Sequence, residues 1–226
     1  MTQDPLDAAA LPQPVTVDLA PACEVLRHWD GTANVAARGA NLWDEFWIRA
    51  VRLPDLAHHA VAFDLTTPAG FDMTRPATGR ALGVALAAAV LNMQRHGVAL
   101  DTMRGDLLYV GHGADKVPLY GGCDQQGYFT VACAMHPLDR DGYSLNRDAH
   151  GNSYMQVVSF DADGPHADTL LSTGVADATA GQAGVATRAY ARKAWSRFPF
   201  TARELSAMPN VTETVLTGPR GVVPSQ

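Results

Sequence analysis

The sequence predicts an α+β fold, on two changes of pattern and one of composition. Apolar residues recur at helical spacing through roughly the first hundred positions. From Leu107 onward the period falls to two, in short runs separated by Gly, Asp and Asn clusters. Helices grouped before strands, with helices resuming after them, describe segregated rather than alternating elements. The composition supports a folded chain: of 226 residues, 47% are hydrophobic and 18% charged. A chain near this length hides roughly 70% of its unfolded surface.

Residues 1–20 hold Pro5, Pro12, Pro14 and an alanine run, and read as an irregular arm with one short strand at Val15–Leu19. Pro21 suits the first turn of a helix, where its missing N–H costs nothing. Cys23, Leu26 and Trp29 give that helix an apolar face, and Asp30-Gly31 ends it. A second helix is predicted over 39–51. Leu42, Trp43, Phe46 and Trp47 form its core stripe, with Asp44, Glu45 and Arg49 off the stripe towards water. Residues 52–75 form a long connection. Its pair His58-His59 lacks a partner at metal-ligand spacing.

Pro76 opens the longest helix, 76–96, rich in Ala and Leu and stopped by Gly97. Asp101 is placed as the N-cap of a single turn over Thr102–Gly105. Strands are predicted at 107–110, 128–134, 154–160 and 169–172, the last two antiparallel. Residues 174–184 read as a small-residue loop, followed by a helix over 185–196 that Pro199 breaks. Thr201-Ala202-Arg203-Glu204 is a capping box for a last short helix, and the tail 209–226 reads as frayed.

Several function classes are excluded. The net charge of −6 offers no basic footprint for nucleic acid. The longest apolar run, Ala81–Leu91, is about half of what a helix needs to cross a bilayer. The start Met1–Asp7 has neither the basic nor the apolar region of a secretory signal, so a soluble chain without an export instruction is expected. Cys23, Cys123 and Cys133 are read as small buried residues: three cannot form a closed disulfide set, and they are too few for a cysteine-built metal site. Gly111-His112-Gly113 lacks the third glycine of a dinucleotide loop, and no phosphate-binding loop or zinc helix is present. Ser144 and Ser153 each have a glycine two positions before but none two positions after, so no nucleophile elbow exists. Asp139, Asp141 and Asn146 lack the closing glutamate of a calcium loop. Asn210-Val211-Thr212 fits a glycosylation pattern that chance often produces. No metal and no cofactor are expected.

Four ordered blocks carry a family resemblance. They are Cys23–Gly31 with Arg38–Trp47; Pro118–Gly122; His150–Val158; and Arg188–Phe200 with Trp195 and Pro199-Phe200. Together they resemble penicillin-acylase-type enzymes, above all the aculeacin A acylase and acyl-homoserine-lactone acylase branch, over about residues 15–208. The resemblance implies an N-terminal-nucleophile hydrolase with a four-layer αββα sandwich, of which this chain holds part. It implies cleavage of a linear amide by the N-terminal serine of a β chain, with that serine's own α-amine, titrating near pH ~8, as base. Backbone N–H groups and an asparagine hold the oxyanion.

The resemblance covers the C-terminal part of that β chain, 21–208 here, and the serine and asparagine lie upstream of it. No catalytic, cofactor or metal residue is therefore assigned. Thr2 would become N-terminal once Met1 is removed, but it stands in a Gln-Asp-Pro context unlike the family's cleavage site and in an arm with no packing pattern, and it reads as an exposed start residue. Residues 180–187 stand where relatives carry a Pro- and His-containing turn leading into Asp-Gln-Thr. Full-length relatives are periplasmic or secreted. The resemblance also implies a separate chain supplying the rest of the acylase. Two other functions compete: a non-catalytic remnant or scaffold subunit, and a small hydrolase using an internal serine or cysteine, for which no motif speaks.

Overall fold

The computed structural model describes residues 15–54, 70–152, 154–162, 164–170, 184–209 and 211–215. Helix α1 spans Ala20–His28, with Pro21 in its first turn and Arg27 and His28 in its last, where the helix dipole favours positive charge. Residues 15–19 are not a strand. Asp18 instead accepts the Ala20 N–H at 2.9 Å, at the start of the helix.

Helix α2, Ala40–Ala50, begins at Gly39, whose φ of 113° is left-handed. A Cβ at Gly39 would lie 2.7 Å from the Trp29 Cβ, so the close approach of α1's end to α2 requires glycine. Helix α3, Pro76–Arg95, packs along α2. The alanines of its buried face, Ala85 and Ala89, bring the helices close. His96 caps α3, and Gly97 follows at φ +68° with the Val98 N–H returning to the Met93 carbonyl at 2.9 Å.

The predicted turn after Asp101 lies further on. Helix α4 is the single turn Arg104–Leu107, and Asp101 does not cap it. Backbone pairing displaces it: the Arg104 and Gly105 N–H groups donate to Ala37 and Val35 carbonyls at 2.9 and 2.8 Å. Arg38 in turn donates to the Asp101 carbonyl at 2.7 Å.

The strands form three small sheets. β1 (Leu108–Val110) pairs antiparallel with β2 (Val117–Pro118) and, unforeseen in the sequence, parallel with β4 (Tyr143–Ser144). β3 (Ala132–Ala134) pairs with β5 (Ala149–Gly151). The third sheet has the order β6 (Met155–Asp161), β7 (Gly164–Leu170), β8 (Ser196–Phe198), all antiparallel. The expected antiparallel pairing of the last two predicted strands holds, in register from Met155↔Leu170 to Asp161↔Gly164, but the second starts at Gly164 rather than at 169, because the pairing runs into the stretch read as a turn. The strand predicted over 128–134 shortens to β3, because residues 124–126 form a 3-10 turn and 127–131 a loop closed by a Gly122↔Val131 bridge.

Cys123 and Cys133 form a disulfide across that loop, and Cys23 is exposed. The reading of three unpaired buried cysteines is therefore corrected. The 3-10 turn folds back on β3 and sets the two Cα atoms 4.5 Å apart, a proximity that spacing alone did not reveal.

Helix α5 covers Val185–Ala191 only. The predicted continuation to Ser196 fails because Lys193 turns left-handed (φ 54°) and residues 196–198 pair with β7 as β8. Tyr190 docks α5: its ring stacks on Tyr120 at 4.4 Å, and its hydroxyl donates to the Tyr120 carbonyl at 3.0 Å. Helix α6, Ala202–Ala207, starts with the expected capping box, Glu204 N–H to Thr201 Oγ1 at 3.1 Å and Thr201 N–H to Glu204 at 2.9 Å. The core lies between α2, α3 and the β2-β1-β4 sheet, around Leu42, Val90, Met93, Leu108, Leu119 and Leu145. Among the described residues no helix is long and apolar enough to cross a membrane.

Candidate functional site

Helix α2 buries an unexpected face. Asn41, Asp44 and Glu45 are inside with Leu42, while Trp43, Phe46 and Trp47 are half-buried. The expectation that Asp44 and Glu45 face water is corrected: they are 2% and 3% exposed. The aromatic residues form a flank instead. Trp43 stacks on Trp47 at 5.2 Å, and their indole N–H groups donate to the Gln126 and Gln125 carbonyls of the disulfide loop at 3.4 and 2.8 Å.

The buried acids meet partners that the tertiary fold delivers. Arg104 of α4, 2% exposed, donates from Nη1 to Asp44 Oδ2 at 2.5 Å and to Asn41 Oδ1 at 3.0 Å, and from Nε to the Gly121 carbonyl at 2.9 Å. Asn41 Nδ2 donates to the Thr102 and Met103 carbonyls at 3.0 and 3.2 Å, fixing the segment that presents Arg104. The Tyr128 ring packs against the guanidinium at 5.4 Å. Glu45 accepts from the Tyr143 hydroxyl, from Asn92 Nδ2 at 2.7 Å and from Arg49 at 2.7 Å. The network thus ties α2 to α3, α4 and β4.

Burial dominates its electrostatics. Loss of water raises the Asp44 carboxyl above its usual range, against the pull of Arg104. Burial lowers Arg104, but Asp44 and the neighbouring tyrosines outweigh it, so its affinity for the proton is raised. Desolvation, with Glu45 and Asp44 adding to it, lifts the Tyr143 hydroxyl well above its ordinary value. Asp44, Glu45, Arg104 and Tyr143 are all buried and paired, and the network they form positions α2 against α3, α4 and β4.

A second cluster brings a serine, a histidine and an aspartate together without making a triad. His136 Nε2 lies 2.9 Å from the Ser144 carbonyl oxygen, not its hydroxyl. The Ser144 hydroxyl accepts the Asn146 N–H at 3.2 Å and is buried. Asp139 Oδ2 is 3.8 Å from His136 Nδ1 and takes Arg147. Among the described residues the imidazole therefore meets the Ser144 backbone rather than the hydroxyl that a nucleophile would use. Among the described residues, no group of three His, Cys, Asp or Glu is placed to hold a metal ion.

Thr2, the pair His58-His59 and most of the 174–187 loop lie outside the described residues. The sequence reading missed Arg104, which no local pattern marks as buried. It had a usable signal for the acids: Asn41, Asp44 and Glu45 stand at i, i+3 and i+4, with Arg49 four beyond Glu45, so one helix face is polar.

A family model for penicillin amidase matches residues 2–207. The acyl-homoserine lactone acylase PvdQ of Pseudomonas fluorescens Pf0-1 is 31% identical over 192 residues, 83% of this chain and 24% of that protein. PvdQ of P. fluorescens Pf-5 is 31% identical over 89% of this chain and 26% of its own length. Aculeacin-A acylase of Actinoplanes utahensis is 28% identical over 86% of this chain and 24% of its length. The chain spans about a quarter of the length of these curated relatives. With the family model covering nearly all of it, the chain belongs to the penicillin amidase family.

Proposed function

We propose that this chain is the C-terminal portion of an acylase that hydrolyses a linear amide, releasing an acyl group from a lipopeptide, an acyl-homoserine lactone or a β-lactam nucleus. It acts as part of an N-terminal-nucleophile hydrolase and is inactive alone. The observation that carries this reading is similarity along nearly the whole chain to acylases four times as long. In this reading the nucleophilic serine and the remaining layers of an αββα sandwich belong to the rest of the acylase.

Purified chain, assayed on dodecanoyl-homoserine lactone and on a phenylacetyl amide, is expected to show no turnover. A nucleophile with its oxyanion donors accounts for several orders of magnitude in rate. Hydrolysis that disappears in Thr2→Ala would overturn the proposal and make Thr2 the nucleophile.

A further inference from the structure

Soft donor atoms converge at the end of the β3–β5 pair. Cys133 and His150 lie directly opposite each other in its antiparallel register, and such partners have Cβ atoms about 5 Å apart. Met135, two residues on from Cys133, returns to the same face. Its sulfur is 2.9 Å from His150 Nδ1 and 3.9 Å from Cys133 Sγ. Cys123 joins from the 3-10 turn through the disulfide. Two cysteine sulfurs, a thioether and an imidazole thus meet at one place. Met135 is 55% exposed, and Cys123 and His150 are partly exposed, so an ion can reach them from solvent.

Donors bound to one ion at about 2.0–2.3 Å stand roughly 3–4 Å from one another. The Met135, His150 and Cys133 atoms are already near that spacing. While Cys123 and Cys133 are bonded to each other, neither can act as a thiolate. In that form, among the described residues, no group of three His, Cys, Asp or Glu is placed to hold an ion. A phosphine reduces the bond to two thiols; water supplies the two protons, and its oxygen leaves as phosphine oxide. A metal ion that binds the thiols then displaces their protons. Thiolate and thioether sulfur with imidazole is a soft set that suits Cu(I) rather than Mg, Ca or Mn. Zinc draws on thiolate, imidazole and carboxylate, and leaves Met135 unused. Asp124 Oδ1 is 3.8 Å from His150 Nε2, where it favours the proton on that nitrogen and leaves Nδ1 to ligate.

We infer that the reduced chain binds one Cu(I) through Cys123, Cys133, Met135 and His150, and that the disulfide is the oxidised, metal-free form of the same site. Binding of this kind is independent of acylase activity, and no turnover is measured. The test uses the full chain carrying Cys23→Ser, which removes the exposed free thiol. It is reduced with a phosphine, separated from it without air, and titrated with Cu(I) against bathocuproine disulfonate. The reduced chain is expected to retain one Cu(I), and the disulfide form to compete at least a hundredfold more weakly. Met135→Leu, at an exposed position, should weaken Cu(I) binding tenfold or more and leave Zn(II) binding unchanged. His150→Gln should weaken both. The helical circular dichroism should survive reduction, since the site needs β3 and β5 in register. No retention of Cu(I) after reduction, equal retention by the disulfide form, or loss of the helical signal on reduction would overturn the inference. So would Met135→Leu with undiminished Cu(I) affinity, or with Cu(I) and Zn(II) weakened alike.

Discussion

The region around α2, α3 and β1 and the sheet β6-β7-β8 solve the same problem of covering apolar surface in opposite ways. In the first, Leu42, Val90, Met93 and Leu108 are enclosed, and the polar groups sealed in beside them are paired through Arg104 and Glu45. In the second, among the described residues, Leu170 with Met155 packs on the core and Ala167 is buried, while most of β6 is exposed. One face of the sheet carries the ion pairs Asp168–Arg197 and His166–Asp161. The other carries the exposed Val158, Phe160, Pro165 and Phe198 around a buried Ala167, and Phe160 is 80% exposed. The comparison teaches that, among the described residues, the helical region encloses its apolar side chains while the late sheet leaves one face exposed.

The sharpest way to break the comparison is Arg104→Met. Removing one partner of a buried ion pair costs about 3–5 kcal/mol, against a total of about 5–15 kcal/mol for a domain. The urea midpoint should fall steeply, and adding Asp44→Leu should recover much of it. A single-variant loss below about 1 kcal/mol would mean the network is not sealed.

Glu45→Ala against Trp47→Ala comes next, and the structure reverses the order that the sequence suggests. Glu45 is the buried hub of Tyr143, Asn92 and Arg49, so its loss should cost about 3 kcal/mol. Trp47 is half-buried, and its truncation should cost about half as much. Thermal melts of the two variants side by side decide whether the acids or the aromatic residues hold α2.

At the sheet, Phe160→Ser should change stability by about 0.5 kcal/mol or less while lowering the binding of a dye that reports apolar surface. A large loss of stability would show that Phe160 is already covered. The smallest effect is local and depends on pH. The Thr201 and Phe200 N–H groups hold the Glu204 carboxyl below its ordinary 4.5. Such a depressed carboxylate contributes stability above that value and loses it as the pH falls through its folded value. The protection of the Phe200 and Thr201 amides, measured relative to their intrinsic exchange rate at each pH, should therefore fall on acidification, and Glu204→Gln should remove that dependence.

Local chemistry made part of this fold legible. Pro21, Pro76 and Gly97 bound two helices because their backbone constraints act within one turn. Thr201 with Glu204 begins α6 through bonds three residues apart. The alternating run from Met155 pairs antiparallel with its neighbour because a short turn allows little else. The family, too, was legible, since four blocks in order carry more information than any one motif.

The sequence by itself determined the helix boundaries set by Pro and Gly, the α6 cap, the order of helices before strands, and membership of the penicillin amidase family. Only the tertiary structure decided which face of α2 is inside. Helical spacing places Trp43 and Trp47 together and Asp44 beside Glu45, but it does not say which side meets Arg104, sixty residues away in the chain. It also decided the Cys123–Cys133 bond, the parallel β1–β4 pair and the β8 strand that replaces the end of a predicted helix. Each of these joins residues whose neighbours in sequence carry no trace of the contact. A buried charge or a paired strand is stabilised by what it meets across the fold, and that partner is invisible until the chain is closed.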